Sequence, residues 1–190
     1  MQANYAMASL LRDLGINVDS VCADNARSIW KKYDRTGRPY WGTFDFWNLD
    51  KGGVPEDQDL SSLEYDGNEI YLDAHSKTEI AGILKRGIGI MKAWKQHLEH
   101  NDPEIVFCLL ATYDNGDMLM NKEDHPDGFF SLTLRFWAVR DGNTVVDLTS
   151  IDEWDQPALW DICHDCAVPA AERSLYPGKR YSRAEGGEIG

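Results

Sequence analysis

The stretch FFSLTLRFWAVR, residues 129–140, decides how this chain is read. Phe130, Leu132, Leu134, Phe136 and Ala138 share one parity, while Ser131, Thr133, Arg135, Trp137 and Val139 take the other. Successive side chains of a strand point to opposite faces, so this alternation predicts a strand with one face on a core. Outward toward the C-terminus, Asp141-Gly142 is a hairpin dipeptide that would return the chain as a strand over Thr144–Leu148. Outward toward the N-terminus, EIVFCLLATY (104–113) is a continuous apolar run, the pattern of a strand covered on both faces. DNGD at 114–117 reads as the turn that ends it, because Asn and Gly tolerate left-handed backbone. The second half of the chain is therefore expected to be an antiparallel meander.

Ahead of the meander the period changes to that of a helix. Ser76 and Glu79 form a capping-box pattern, and Ile80, Ile83, Leu84, Gly87, Met91, Trp94 and Leu98 trace one face of a helix over 77–98. Gly82, Gly87 and Gly89 each weaken such a helix by roughly 1 kcal/mol relative to Ala. They predict a kink or a very close approach to a sheet. Met7, Leu10, Leu11 and Leu14 predict an N-terminal helix stopped at Gly15, and Cys22, Ala26, Ile29, Trp30 and Tyr33 predict a second over about 20–33. Residues 40–49 (YWGTFDFWNL) read as a strand with rings on both faces, 51–59 as a loop, and SLEYDGNEIYLD as a short hairpin turning at Asp66-Gly67. A last helix is expected over 157–167. The order predicts an α+β fold with N-terminal helices, a long central helix and a mainly antiparallel sheet. Residues 1–170 form a single domain on this reading, and 171–190 a poorly structured or surface-crossing tail.

Composition bounds function. The chain has 190 residues and a net charge of −13, and residues 101–190 hold seven Lys/Arg against seventeen Asp/Glu. An acid-weighted half opposes binding to phosphate backbones and attracts a basic partner. The lysines on the predicted central helix (Lys77, Lys85, Lys92, Lys95) make no nucleic-acid footprint in such a molecule. The opening MQANYAMASLLRDLG meets Arg12 and Asp13 before an apolar stretch of signal-peptide length, and no run is long enough to span a membrane. A cytoplasmic protein with no membrane association is expected. There is no G-x-x-x-x-G-K-[ST], no G-x-G-x-x-G after a strand, no H-E-x-x-H and no G-x-S-x-G.

Three sets of residues carry candidate chemistry. The acids Asp57, Asp114, Asp117, Glu123, Asp124, Asp127, Asp152 and Asp155, with Tyr40 and Trp41 as contact rings, would form a surface for a basic protein. This is the leading expectation: a non-catalytic protein of inhibitor or immunity type, needing no cofactor. Cys22, near a predicted helix start, could instead be a nucleophile with His125 or His75 as base and Asp147 as its orienting carboxylate. A helix-borne Cys followed by His and Asp on later strands resembles the layout of papain-type cysteine hydrolases, although no local motif of that family surrounds Cys22. Cys163, His164 and Cys166 in CHDC have spacing open to zinc or thiol–disulfide chemistry, without the second ligand pair a structural zinc site uses. A third class, self-assembly through Trp41 or Trp154, would need those rings at the surface.

Overall fold

Phe130–Ala138 is indeed a strand, and it lies in a five-stranded antiparallel sheet. The computed structural model describes residues 1–24, 29–43, 59–116, 128–140, 145–148 and 150–163. In chain order the elements are β1 (Gln2–Ala3), α1 (Tyr5–Asp13), β2 (Trp30–Tyr33), β3 (Pro39–Gly42), α2 (Leu60–Gly67), β4 (Ile70–Ala74), α3 (Ile80–Asn101), β5 (Phe107–Asp114), β6 (Phe130–Ala138) and β7 (Ala158–Cys163). The main sheet has the order β1-β7-β5-β6-β4, and β2 and β3 make a separate hairpin. The α+β class, the N-terminal helix, the long central helix and the antiparallel sheet are as the sequence predicts.

One face of the main sheet, the helix face, packs on α1 and α3. Leu72, Phe107, Leu109, Leu132, Leu134 and Phe136 meet Leu84, Met91, Trp94 and Leu98 of α3 and Met7 and Leu11 of α1 in one apolar core. Two of the glycines of α3, Gly87 and Gly89, serve close packing. A Cβ on Gly87 would stand 2.2 Å from Leu132 Cδ2, and one on Gly89 would stand 3.0 Å from the Cys22 carbonyl oxygen. Gly82 faces open space. The opposite face, the loop face, buries Cys108, Leu110, Trp137 and Trp160 beneath Val146, Leu148 and Ile151.

Asn4 joins the chain's beginning to its last described strand. Its Oδ1 caps α1 by accepting from the Met7 amide (2.9 Å) and also accepts from the Ala158 amide (3.0 Å). Its Nδ2 donates to the Ile151 (3.2 Å) and Gln156 (2.9 Å) carbonyls. At the other end of α1, Gly15 takes φ 63°, a left-handed stop that glycine adopts without strain.

Four expectations are corrected. The helix over 20–33 does not form among the described residues: a 3-10 turn at Val18–Ser20 is followed by residues 21–24 without helix, and Trp30–Tyr33 pairs with Pro39–Gly42. The hairpin at Asp66-Gly67 is instead α2, whose last residue is Gly67 and whose amide-capping residue Asn68 leads into β4. Residues 145–148 form bends and a turn, not a strand. Residues 158–163 form β7, hydrogen-bonded between β1 and β5, so the helix over 157–167 does not form there. The predicted loop over 51–59 and strand over 40–49 lie mostly outside the described residues, as do Asp141-Gly142 and the tail from 171. Among the described residues no helix is long and apolar enough to cross a membrane.

Candidate interaction surface

The strand directions gather acids at one end of the main sheet. β5 ends there at Asp114, β6 begins there, β4 ends there, and β7 begins there after the Ile151–Glu153 turn. Asp73 pairs in register with Ser131, and Ser131 with Asp114, so the two carboxylates share one row of the loop face, two strands apart. That spacing is about 10 Å. Ser131 Oγ donates to Asp73 Oδ1 (2.9 Å), and Asp114 Oδ1 accepts from the Gly116 amide (2.8 Å). The Tyr113 amide donates to the Pro157 carbonyl (2.9 Å), which brings the segment carrying Asp152, Glu153 and Asp155 to the same end. All five acids are exposed. Lys77, just beyond β4, offsets part of that charge. In the next row Tyr71 stands 58% exposed, one of the three most exposed large apolar side chains among the described residues.

Tyr71 and Asp73 are not among the contact residues expected on sequence grounds. The alternation in IYLDA was the available signal, and the mistaken hairpin obscured which of its faces is wet. Asp57, Asp117, Glu123, Asp124, Asp127, His125, His164 and Cys166 lie outside the described residues.

Tyr40 and Trp41 are not contact rings. They are only 5% and 1% exposed, because the β2–β3 hairpin is clamped to the sheet. Trp41 sets its ring edge-on to Phe107 at 4.9 Å and donates its indole N–H to Asp102 Oδ2 (2.8 Å). Asp102 Oδ1 accepts from Lys31 Nζ (2.5 Å). Glu64, buried on α2, completes the clamp. Its Oε1 accepts from the Trp41 amide (3.0 Å) and Arg140 Nη2 (2.6 Å), and its Oε2 from the Ala138 amide (2.6 Å) and Arg140 Nη1 (3.0 Å). Burial pushes the Glu64 carboxyl upward, with Arg140 and the two amides pulling against it. Four donors on one carboxylate make a structural joint, since no acceptor position is left for a reacting group. Asn68 spans the same gap, donating to the Trp41 (3.0 Å) and Phe136 (3.2 Å) carbonyls and accepting from the Thr43 amide (3.1 Å).

The cysteine hydrolase arrangement is not assembled by the described residues. Cys22 is exposed in a stretch, 21–24, that is not helical, and its backbone lies against Gly89 of α3 on the helix face. Asp147 sits between Val146 and Leu148, which pack on the loop face. The sheet stands between the two segments. His75 is exposed at the end of β4, its amide donating to Glu79 Oε2 (2.8 Å). Cys163 is fully buried at the end of β7, and burial pushes its thiol well above the ordinary range. Among the described residues no group of three or more His, Cys, Asp and Glu side chains is placed to hold a metal. Trp154 packs part-buried against the loop-face cluster and Trp41 is buried, so neither fits the self-assembly expectation well. No family model, curated protein or solved structure matches this chain.

Proposed function

We propose that this is a non-catalytic protein of inhibitor or immunity type that binds a basic protein through the acidic end of its main sheet. The observation that carries the reading is the convergence of Asp73, Asp114, Asp152, Glu153 and Asp155 on one end, reached by three segments: the end of β4, the end of β5 and the turn that leads into β7. Clustered exposed carboxylates raise the encounter rate with a cationic surface and repel anionic competitors. Tyr71 adds a rigid ring beside them, the kind of side chain that anchors a contact at low entropic cost.

The test compares wild type with the triple variant Asp73→Lys, Asp114→Lys and Asp155→Lys. Each is immobilised in lysate of the source cells and of their biological antagonists, then eluted in salt steps with identification by mass spectrometry. The expected result is one basic protein held in near-equimolar amount by wild type, released by salt, and lost from the variant. Retention of the same proteins by both forms would overturn the reading.

A further inference from the structure

We infer that the edge of β4, unpaired among the described residues, is the docking strand of this surface, and that the partner adds an extended, lysine- or arginine-bearing segment beside it. The inference rests on the acidic-end reading above and specifies how the partner is held.

β4 closes the main sheet at one side and pairs only with β6 among the described strands. In an edge strand, alternate residues turn their backbone N–H and C=O groups outward, where they can accept another strand. The two sides of the sheet treat this exposure differently. At the far side the edge strand β1 is two residues long. Beyond it, Asp161 of β7 accepts the Ile162 amide on Oδ1 (3.0 Å) and holds Lys95 Nζ at 2.9 Å and the chain's amino terminus at 3.5 Å on Oδ2. That edge is short and occupied by charge. β4 is longer, five residues, with strict alternation: Ile70, Leu72 and Ala74 are buried toward α3, and Tyr71 and Asp73 are exposed on the loop face.

This alternation sets what an added strand must carry. Its residues on the loop face would stand beside Tyr71 and Asp73, with Asp114 two strands further in the same row as Asp73. A carboxylate and an aromatic face together favour a cation with an alkyl stem. Residues of the opposite parity would continue the apolar row of Ile70 and Leu72. The segment so defined alternates basic with apolar side chains. A second copy of this chain is the other geometric possibility, and charge weighs against it. Pairing β4 with itself would bring together two acidic ends, each carrying Asp73, Asp114 and Asp155 on molecules of charge −13.

The probe is a capped heptapeptide of alternating lysine and valine, with glutamate–valine as its counterpart. Binding is followed by calorimetry, and amide hydrogen exchange is read over Ile70–Ala74. Two further lysine peptides are N-methylated, one at the valine amides and one at the lysine amides, because a paired strand must present one of these sets to β4. We expect the plain lysine peptide to bind and slow exchange in β4, the glutamate peptide not to bind, and one methylated form to lose at least about tenfold in affinity. Tyr71→Ala and Asp73→Lys should each weaken the lysine peptide, with thermal melts confirming that both variants fold. Equal binding by all three lysine peptides, binding without protection of β4, or no binding at all would overturn strand addition. The charge-reversal capture experiment remains the separate test of the acidic surface itself: if the triple variant still loses its partner, that reading stands without the edge.

Discussion

Glu64 receives two backbone amides and both arms of Arg140, and it is the residue on which three elements meet: α2, β3 and the end of β6. Removing one member of a buried ion pair leaves the other desolvated and unpaired, at a cost of about 3–5 kcal/mol. Glu64→Ala should therefore lower unfolding free energy by about that amount in urea titration, and adding Arg140→Ala should cost less than the sum of the two single changes. Thiols give a second check at this scale. Cys22 is exposed, whereas Cys108 is fully buried and burial raises its pKa from 9.0 to about 12. Peptide mapping after brief alkylation of the native protein at neutral pH should find label at Cys22 and none at Cys108 or Cys163. The sign of the linkage follows from the raised value: the neutral Cys108 thiol favours the fold fully below pH 9.0, and that contribution is lost as pH rises toward about 12. Stability that is flat across this alkaline window would contradict the burial.

At the scale of elements, α3 illustrates why spacing alone was informative. Its glycines lie at different depths, so the same substitution should have opposite effects. Gly87→Ala forces Leu132 to move and is expected to destabilise by about 1–3 kcal/mol. Gly82→Ala meets nothing and should stabilise by about 0.5–1 kcal/mol through helix propensity. Thermal unfolding of the two variants side by side checks both. The strands β5 and β6 and the helix α3 were legible because their burial is periodic or continuous over eight or more residues. The shorter elements were not. Residues 22–33 place apolar side chains at helical spacing, but Trp30–Tyr33 is fixed by pairing with β3, a contact that spacing along one segment does not register. In α2 the buried side includes Ser61 and Glu64, so its polar clamp hid the helical period. β7 is buried on both faces between two neighbours, and a short run without alternation reads equally well as helix. The acids of the candidate surface were visible one by one. Their convergence was not, because it depends on which strands run antiparallel.

Considered whole, the molecule concentrates like charge where a partner is proposed to sit, and that has a thermodynamic signature. Exposed acids crowded at one end repel each other, while neutralising exposed ones removes little structure. Asp152→Asn with Asp155→Asn is expected to leave the melting temperature unchanged or raised, and to weaken partner capture at low salt. A clear fall in melting temperature would instead assign these acids to the fold. The sheet order has another consequence. β7 lies between β1 and β5, so the last of the described strands fills the interior of a sheet whose outer member, β1, is the first of them. Asn4 can reach the Ala158 amide only after more than 150 residues of intervening chain have left the ribosome. Until then β1 has no strand to lean on and β5 shows a bare apolar flank. β7 must be made before the sheet can close, so a chain truncated or stalled ahead of Ala158 would expose that flank to whatever chaperone or neighbouring strand met it first.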